Sequence, residues 1–174
     1  EGAYFADEHQ TELLRKLLND EIRARTRKNL VQSRSFGEML DRTIKKYQNR
    51  AIETAMVIEE LIQLAREMRE AQKRGEDLGL TDAELAFYDA LEVNDSAVKI
   101  LGDAVLKQIA QELVQAIRQN ISIDWTVRES VRARIRVMIK RILIKHGYPP
   151  DKQEKATLTV LAQAELLCRD LVPA

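Results

Sequence analysis

A row of apolar residues at helical spacing starts at Phe36, and it constrains the fold more than any other feature of the sequence. The row continues to Met68, and neither glycine nor proline occurs between Glu38 and Arg74. Apolar positions every three to four residues are typical of an amphipathic helix. The pattern therefore predicts one very long helix over about 36–74. The members of the row are Phe36, Leu40, Ile44, Tyr47, Ala51, Ala55, Ile58, Leu61, Ala65 and Met68.

The predicted length of this helix suggests that it extends beyond a compact body. At about 1.5 Å per residue it would span about 58 Å. A compact chain of 174 residues has a diameter of about 40 Å. We therefore expect the helix to overhang the rest of the domain. Its exposed apolar row would then be covered by another helix or by a neighbouring domain.

The remaining sequence also predicts helices, so the expected fold class is an all-α helical bundle. No segment shows the sustained alternation that is typical of strands, and the chain holds only 3 prolines. A first helix is predicted over Glu8–Val31, with Leu13, Leu14, Leu17, Leu18 and Ile22 as its apolar face. Two capping boxes, Ser35 with Glu38 and Thr81 with Glu84, predict helix starts. Further boundaries are predicted at Asn94 or Asp95, Gly102, Gly147 and Asp151.

The domain organisation that we expect is an arm followed by one helical domain. Residues 1–33 would form an N-terminal helical arm, and residues 34–174 would form the main domain. The chain begins at Glu1 rather than at Met, which suggests a piece of a longer polypeptide. No apolar segment is long enough to span a membrane. The lone Cys168 favours a reducing cytoplasmic setting and is expected to lie in the core.

The charge of the chain is balanced overall but unevenly distributed. The 28 basic and 28 acidic residues give a formal net charge of zero. Residues 51–124 carry a net charge of −8, whereas residues 125–174 carry +5. This asymmetry permits ion pairs within the chain or separate binding faces, and it argues against a chain dedicated uniformly to nucleic acid.

One strongly basic helix is predicted between a cap at Asp124 or Thr126 and a stop at Gly147. Its inner stripe would hold Val127, Val131, Ile135, Met138, Ile139 and Ile142. Along one flank lie Arg128, Arg132, Arg136 and Lys140, and along the other lie Arg134, Arg141 and Lys145. Val137 and Ile144 fall on the far side, so the helix is apolar on more than one face.

Two interpretations of this basic helix remain open. In the first, the arginines reach outward to carboxylates of the acidic middle segment, residues 51–124. In the second, helix 127–146 contacts a nucleic-acid backbone, and Arg128, Arg132, Arg136 and Lys140 bind phosphates. Trp125 is expected to pack at the helix entrance, and His146 to occupy the last helical turn, where an imidazole can interact with terminal carbonyls.

The sequence contains no motif for catalysis or cofactor binding. It lacks the glycine-rich phosphate loop of nucleotide hydrolases. His9 and His146 have no cysteine or second histidine at metal-ligand spacing. We therefore expect no catalytic residue, no metal and no cofactor in this chain.

Three strings resemble the C-terminal helical region of the R (restriction) subunit of type I restriction-modification enzymes. They are RSFGEMLDRTIKKYQNRAIETAMVIEELIQLAREM, LTDAELAFYDAL and IDWTVRESVRARIRVMIKRILIKHGYPPDKQEKAT. The resemblance covers about Arg34–Leu171. It implies a non-catalytic part of a subunit whose other domains are a nuclease and an ATP-driven DNA motor. ATP and Mg²⁺ are implied for those other domains only.

The resemblance also implies partners. The family role of this region is to dock the R subunit onto the methyltransferase core, which contains the modification and specificity subunits. DNA is a further partner of the full complex. Residues 1–33 would then lead back toward the motor domains. No residue here matches an established functional position of the family.

Overall fold

The computed structural model describes residues 2–120, 129–150 and 153–171. Over these ranges the chain forms seven α-helices and no strand, so the all-α prediction is confirmed. The helices are α1 (Gly2–Thr26), α2 (Leu30–Gln48), α3 (Thr54–Leu78), α4 (Asp82–Glu92), α5 (Asp95–Gln119), α6 (Glu129–Lys145) and α7 (Gln153–Leu171).

The chain divides into two compact units. Unit 1 contains residues 1–27 and 32–78, and unit 2 contains residues 28–31 and 79–174. This division differs from the expected boundary after residue 33: α1 groups with α2 and α3 in unit 1, and the main division falls between residues 78 and 79. The roles assigned to residues 1–33 and 34–174 stay predictions.

Unit 1 is built around one apolar core shared by α1, α2 and α3. Only one stripe of α1 enters this core: Leu18 and Ile22 are buried and Leu14 packs against them. The predicted face was too wide, because Leu13 and Leu17 are 51% and 56% exposed. The buried members of the core are Leu18, Ile22, Phe36, Leu40, Ile44, Val57, Leu61, Leu64 and Met68.

The guanidinium of Arg25 fixes the end of α1 in unit 1. It donates 2.6 Å to the Met68 carbonyl and 3.3 Å to the Gln32 side chain, and it lies 5.4 Å from the centre of the Phe36 ring. A guanidinium satisfies several acceptors at once because its donors form a rigid fork. Arg25 therefore holds the end of α1 against α2 and α3.

The prediction of one helix over about 36–74 was wrong, because a turn separates α2 from α3. Arg50 has a φ of +54°, which is the left-handed conformation. The Arg50 amide donates 3.1 Å to the Tyr47 carbonyl, and the Ala51 amide donates 2.9 Å to the Lys46 carbonyl. These two bonds form a Schellman motif, which ends a helix. The expectation that a helix overhangs the domain depended on the length of that single helix, so it no longer follows.

The first helix boundary was also predicted wrongly. The sequence indicated Glu8–Val31, but α1 ends at Thr26 and α2 begins at Leu30. Ser35 therefore lies inside α2 and cannot cap a helix with Glu38. The break is held by polar groups that are distant in the sequence: Gln163 donates 2.8 Å to the Lys28 carbonyl and accepts a 3.0 Å bond from the Leu30 amide.

Two helix starts predicted for unit 2, at Thr81 and Asn94, are confirmed, whereas those predicted at Asp124 or Thr126 and at Asp151 lie outside the described residues. Thr81 and Glu84 form the reciprocal capping box, with bonds of 2.9 and 3.2 Å. The Asn94 side chain accepts a 3.1 Å bond from the Ser96 amide at the start of α5. Gly102, with φ +76°, interrupts α5 as expected.

The core of unit 2 is formed by α4, α5, α6 and α7. Two tyrosines lie in it with their hydroxyls satisfied: Tyr88 donates 2.8 Å to Asp103, and Tyr148 donates 2.9 Å to the Leu91 carbonyl. The largest fully buried side chains of this unit are Tyr88, Tyr148, Phe87, Leu91, Leu106, Ile109, Leu113, Ile117, Ile139 and Leu143. This core buries one face of α6.

Candidate functional site

The basic helix of the sequence corresponds to α6 in unit 2. It ends where predicted, because Gly147 adopts φ +76° and Tyr148 donates 2.9 Å from its amide to the Leu143 carbonyl. Tyr148 and Leu143 are both buried beside this turn, which anchors the end of the helix. The predicted entrance at Asp124, Trp125 and Thr126 lies outside the described residues.

The inner face of α6 is confirmed wherever the structure describes it. Ile135, Ile139 and Ile142 are buried, and Met138 is half-buried. Leu143 is buried as well, although the sequence stripe did not include it. The side chains of Val127 and Val131 lie outside the described residues.

Three members of the predicted phosphate-binding row form ion pairs. Arg132 lies 2.6 Å from Glu165, Arg136 lies 3.1 Å from Glu154, and Lys140 lies 2.9 Å from Glu154. The hydrogen bond from Lys140 is the main cause that lowers the pKa of Glu154. The fourth member, Arg128, lies outside the described residues.

The carboxylates that pair with this row come from α7, which corrects the interpretation that they lie in residues 51–124. The row was expected to reach the acidic segment 51–124, but Glu154 and Glu165 belong to α7. Helices α6 and α7 are packed against each other, so their side chains meet directly. A phosphate that approached this row would compete with carboxylates already in place. Phosphate binding by Arg128, Arg132, Arg136 and Lys140 stays a prediction.

On the other flank of α6, Lys145 does reach the acidic segment. Lys145 lies 3.0 Å from Glu112 of α5, and the His146 ring nitrogen Nε2 lies 2.5 Å from the same carboxylate. The hydrogen bond from His146, followed by that from Lys145, lowers the pKa of Glu112. His146 does lie at the helix end, but its ring contacts a carboxylate rather than a terminal carbonyl.

The outer side of α6 carries a strip that no described residue covers. We call it the outer strip and define it as Arg134, Val137, Arg141 and Ile144. All four side chains are exposed, Val137 by 48% and Ile144 by 63%. Within the described part of the chain, Arg134 and Arg141 form no ion pair. The sequence had placed Val137 and Ile144 on this far side.

Surface grooves among the described residues include one between α4 and α5 and one along α1. No group of three or more His, Cys, Asp or Glu residues in the described ranges could hold a metal ion. The groove between α4 and α5 is lined by Glu84 and Arg118 together with uncharged side chains, and Glu84 is engaged in its capping box. In the described ranges, no helix is both long and apolar enough to cross a membrane.

The sequence of the chain matches a known protein family. Residues 6–170 match the family described as "Type I restriction enzyme HindI endonuclease subunit-like, C-terminal". The chain belongs to this family. The resemblance noted in the sequence is therefore confirmed for the endonuclease (R) subunit of type I restriction enzymes.

Two relatives of this endonuclease-subunit family illustrate the match. The type I restriction enzyme HindI endonuclease subunit of Haemophilus influenzae is 39% identical over 158 residues, which cover 91% of the chain and 15% of the relative. The putative type I restriction enzyme MjaIXP endonuclease subunit of Methanocaldococcus jannaschii is 39% identical over 137 residues, which cover 78% of the chain and 13% of the relative. No solved structure matches the chain.

Proposed function

We propose that this domain docks the endonuclease subunit onto the methyltransferase core of a type I restriction complex, and that it performs no reaction itself. The outer strip of α6 supports this proposal. A helix that already buries Ile135, Ile139 and Ile142 in the core has no need of exposed Val137 and Ile144 for folding. Exposed apolar side chains beside cations are the kind of surface that binds another protein.

The catalytic work of the parent subunit would then lie in its other domains. The chain corresponds to 15% and 13% of the two relatives, which are called endonuclease subunits. ATP and Mg²⁺ would bind to the remaining part. The partners would be the modification and specificity subunits, with DNA as a substrate of the whole assembly in the cytoplasm.

The test is recruitment of the intact R subunit with and without this domain. We expect that an R subunit lacking residues equivalent to 1–174 no longer binds an immobilised methyltransferase core. Its ATPase activity should persist, which would show that the motor domains remain folded. Recruitment that survives the deletion would refute the docking proposal.

A further inference from the structure

The outer strip repeats at the spacing by which one helix packs along another. Arg134, Val137, Arg141 and Ile144 stand at positions i, i+3, i+7 and i+10, which is the a/d pattern of a two-helix seam. At 100° per residue this seam lies almost opposite the buried isoleucines. Helix α6 therefore has one seam used by its own core and a second seam without a partner among the described residues.

The charge of the strip indicates which kind of helix would fit. Arg134 and Arg141 alternate with the apolar residues and form no ion pair within the described ranges. The carboxylates that contact α6 are bound to other cations, since Glu154 and Glu165 bind the flanking row and Glu112 binds Lys145. Polar residues in a seam select their partner through complementary charge. Carboxylates that neutralise this seam would have to come from the occupant.

The size of the strip favours an element of a larger assembly over a second copy of this chain. From Arg134 to Ile144 the helix rises about 15 Å, and a helix is about 10 Å wide. The footprint of roughly 150 Å² is far below the ~800 Å² per partner of a typical stable interface. Such a seam would contribute to a contact that other surfaces also hold.

We propose that the outer strip binds an amphipathic helix that carries acidic residues beside apolar ones, supplied by a partner subunit of the complex. This inference rests on the docking function proposed above. Val137 and Ile144 would pack against apolar side chains of that helix, and Arg134 and Arg141 would pair with its carboxylates.

The test measures binding of the intact R subunit to the methyltransferase core. Two double variants probe the two chemistries: Val137→Ser with Ile144→Ser, and Arg134→Glu with Arg141→Glu. We expect each pair to weaken binding about tenfold or more, as replacement of central interface residues does. The loss caused by the charge reversal should shrink at high salt, whereas the loss caused by the apolar substitutions should persist.

Matched controls use exposed residues of unit 2 outside the strip. Ile100→Ser with Leu158→Ser, and Lys99→Glu with Lys155→Glu, make the same chemical changes elsewhere. We expect binding within about twofold of the unmodified subunit, because surface substitutions away from an interface have small effects. Circular dichroism would confirm that all variants retain their helices.

Three results would overturn the inference. If strip variants bind normally while deletion of the domain abolishes recruitment, docking stands and the strip is not its site. If the charge reversal has no effect while the apolar substitutions do, the occupant is not acidic. If the strip variants instead abolish self-association or binding of duplex DNA and leave core binding intact, the occupant is a second copy or a nucleic acid.

Discussion

Arg50 shows how a single backbone conformation decides the architecture of unit 1. Among the described residues it is the one non-glycine residue with a positive φ. The left-handed conformation costs a side-chain-bearing residue about 1–2 kcal/mol, because its Cβ approaches a carbonyl oxygen. Two backbone bonds of the Schellman motif and the core contacts of α2 and α3 offset that cost.

Replacing this arginine by glycine should stabilise the chain. We expect Arg50→Gly to raise the free energy of unfolding by about 0.5–1 kcal/mol, since relief of the Cβ contact exceeds the added entropy of the unfolded chain. Urea denaturation followed by circular dichroism would measure it. The control Arg42→Gly, at an exposed position inside α2, should lower stability by about 1 kcal/mol. Equal destabilisation by both variants would contradict the role given to Arg50.

Glu112 makes a pH-dependent contribution to the free energy of unfolding through its contacts with His146 and Lys145. Its folded pKa lies below the ordinary 4.5, so the folded state favours the carboxylate more than the unfolded state does. The contribution is therefore complete above about pH 5 and is lost as the pH falls through the lowered pKa. Solvent reaches part of this group, so the effect is screened.

The variant Glu112→Gln should isolate this contribution. We expect it to be less stable than the unmodified chain at pH 7, and we expect the difference to shrink as the pH falls to about 3. Urea denaturation at a series of pH values would measure the difference. Glu76→Gln, at an exposed residue without an ion pair among the described residues, serves as control and should show no such convergence. A difference that stays constant with pH would exclude the ion pairs as its cause.

At the scale of elements, the sequence predicted boundaries that depend on local chemistry. The Thr81 and Glu84 capping box, the Asn94 cap and the stop at Gly147 involve residues within a few positions of one another. The turn at Arg50 was missed because no glycine or proline marks it. A non-glycine residue at a left-handed position leaves no signal in the sequence.

The break between α1 and α2 was missed for a different reason. Gln163 lies 133 residues after Leu30 and 135 residues after Lys28, yet its amide binds the backbone of both. Asn29 beside them donates 2.8 Å to the buried Asp89. A tertiary contact between distant segments defines this boundary, and periodicity cannot reveal such a contact.

This role of Gln163 can be tested by removing its polar atoms. We expect Gln163→Leu to lower the free energy of unfolding by about 2–3 kcal/mol, because it leaves a backbone donor and a backbone acceptor without partners. Denaturation would give that value, and hydrogen exchange should accelerate at the Leu30 amide. Gln108→Leu, at an exposed position of α5, should change stability by less than about 0.5 kcal/mol. Unchanged exchange at Leu30 would contradict this assignment.

At the scale of the whole molecule, some of the opposite charges of the chain pair between helices. The sequence showed where the cations of α6 lie and which isoleucines face inward. It could not show that Arg132, Arg136 and Lys140 meet carboxylates of α7, because that depends on which helix packs beside α6. The same packing leaves Arg134 and Arg141 exposed and, among the described residues, without an ion pair. Two sets of arginines that look equivalent in the sequence therefore have different surroundings in the structure.

The pairing with α7 leads to a prediction about nucleic acid. If the carboxylates suppress phosphate binding by the row, Glu154→Gln with Glu165→Gln should raise the affinity of the chain for duplex DNA. We expect a gain of about fivefold or more at low salt that disappears as salt increases, since phosphate contacts release counterions. Fluorescence anisotropy with a labelled duplex at two salt concentrations would measure it.

The control must make the same change in net charge at another place. Glu53→Gln with Glu76→Gln removes two exposed carboxylates that form no ion pair in the described part of the chain. A general effect of net charge would raise affinity equally in both double variants, whereas release of the row would favour the α7 variant. Strong binding by the unmodified chain that is lost in Arg132→Gln with Arg136→Gln would show instead that phosphates displace the carboxylates, and the row would then be a nucleic-acid contact.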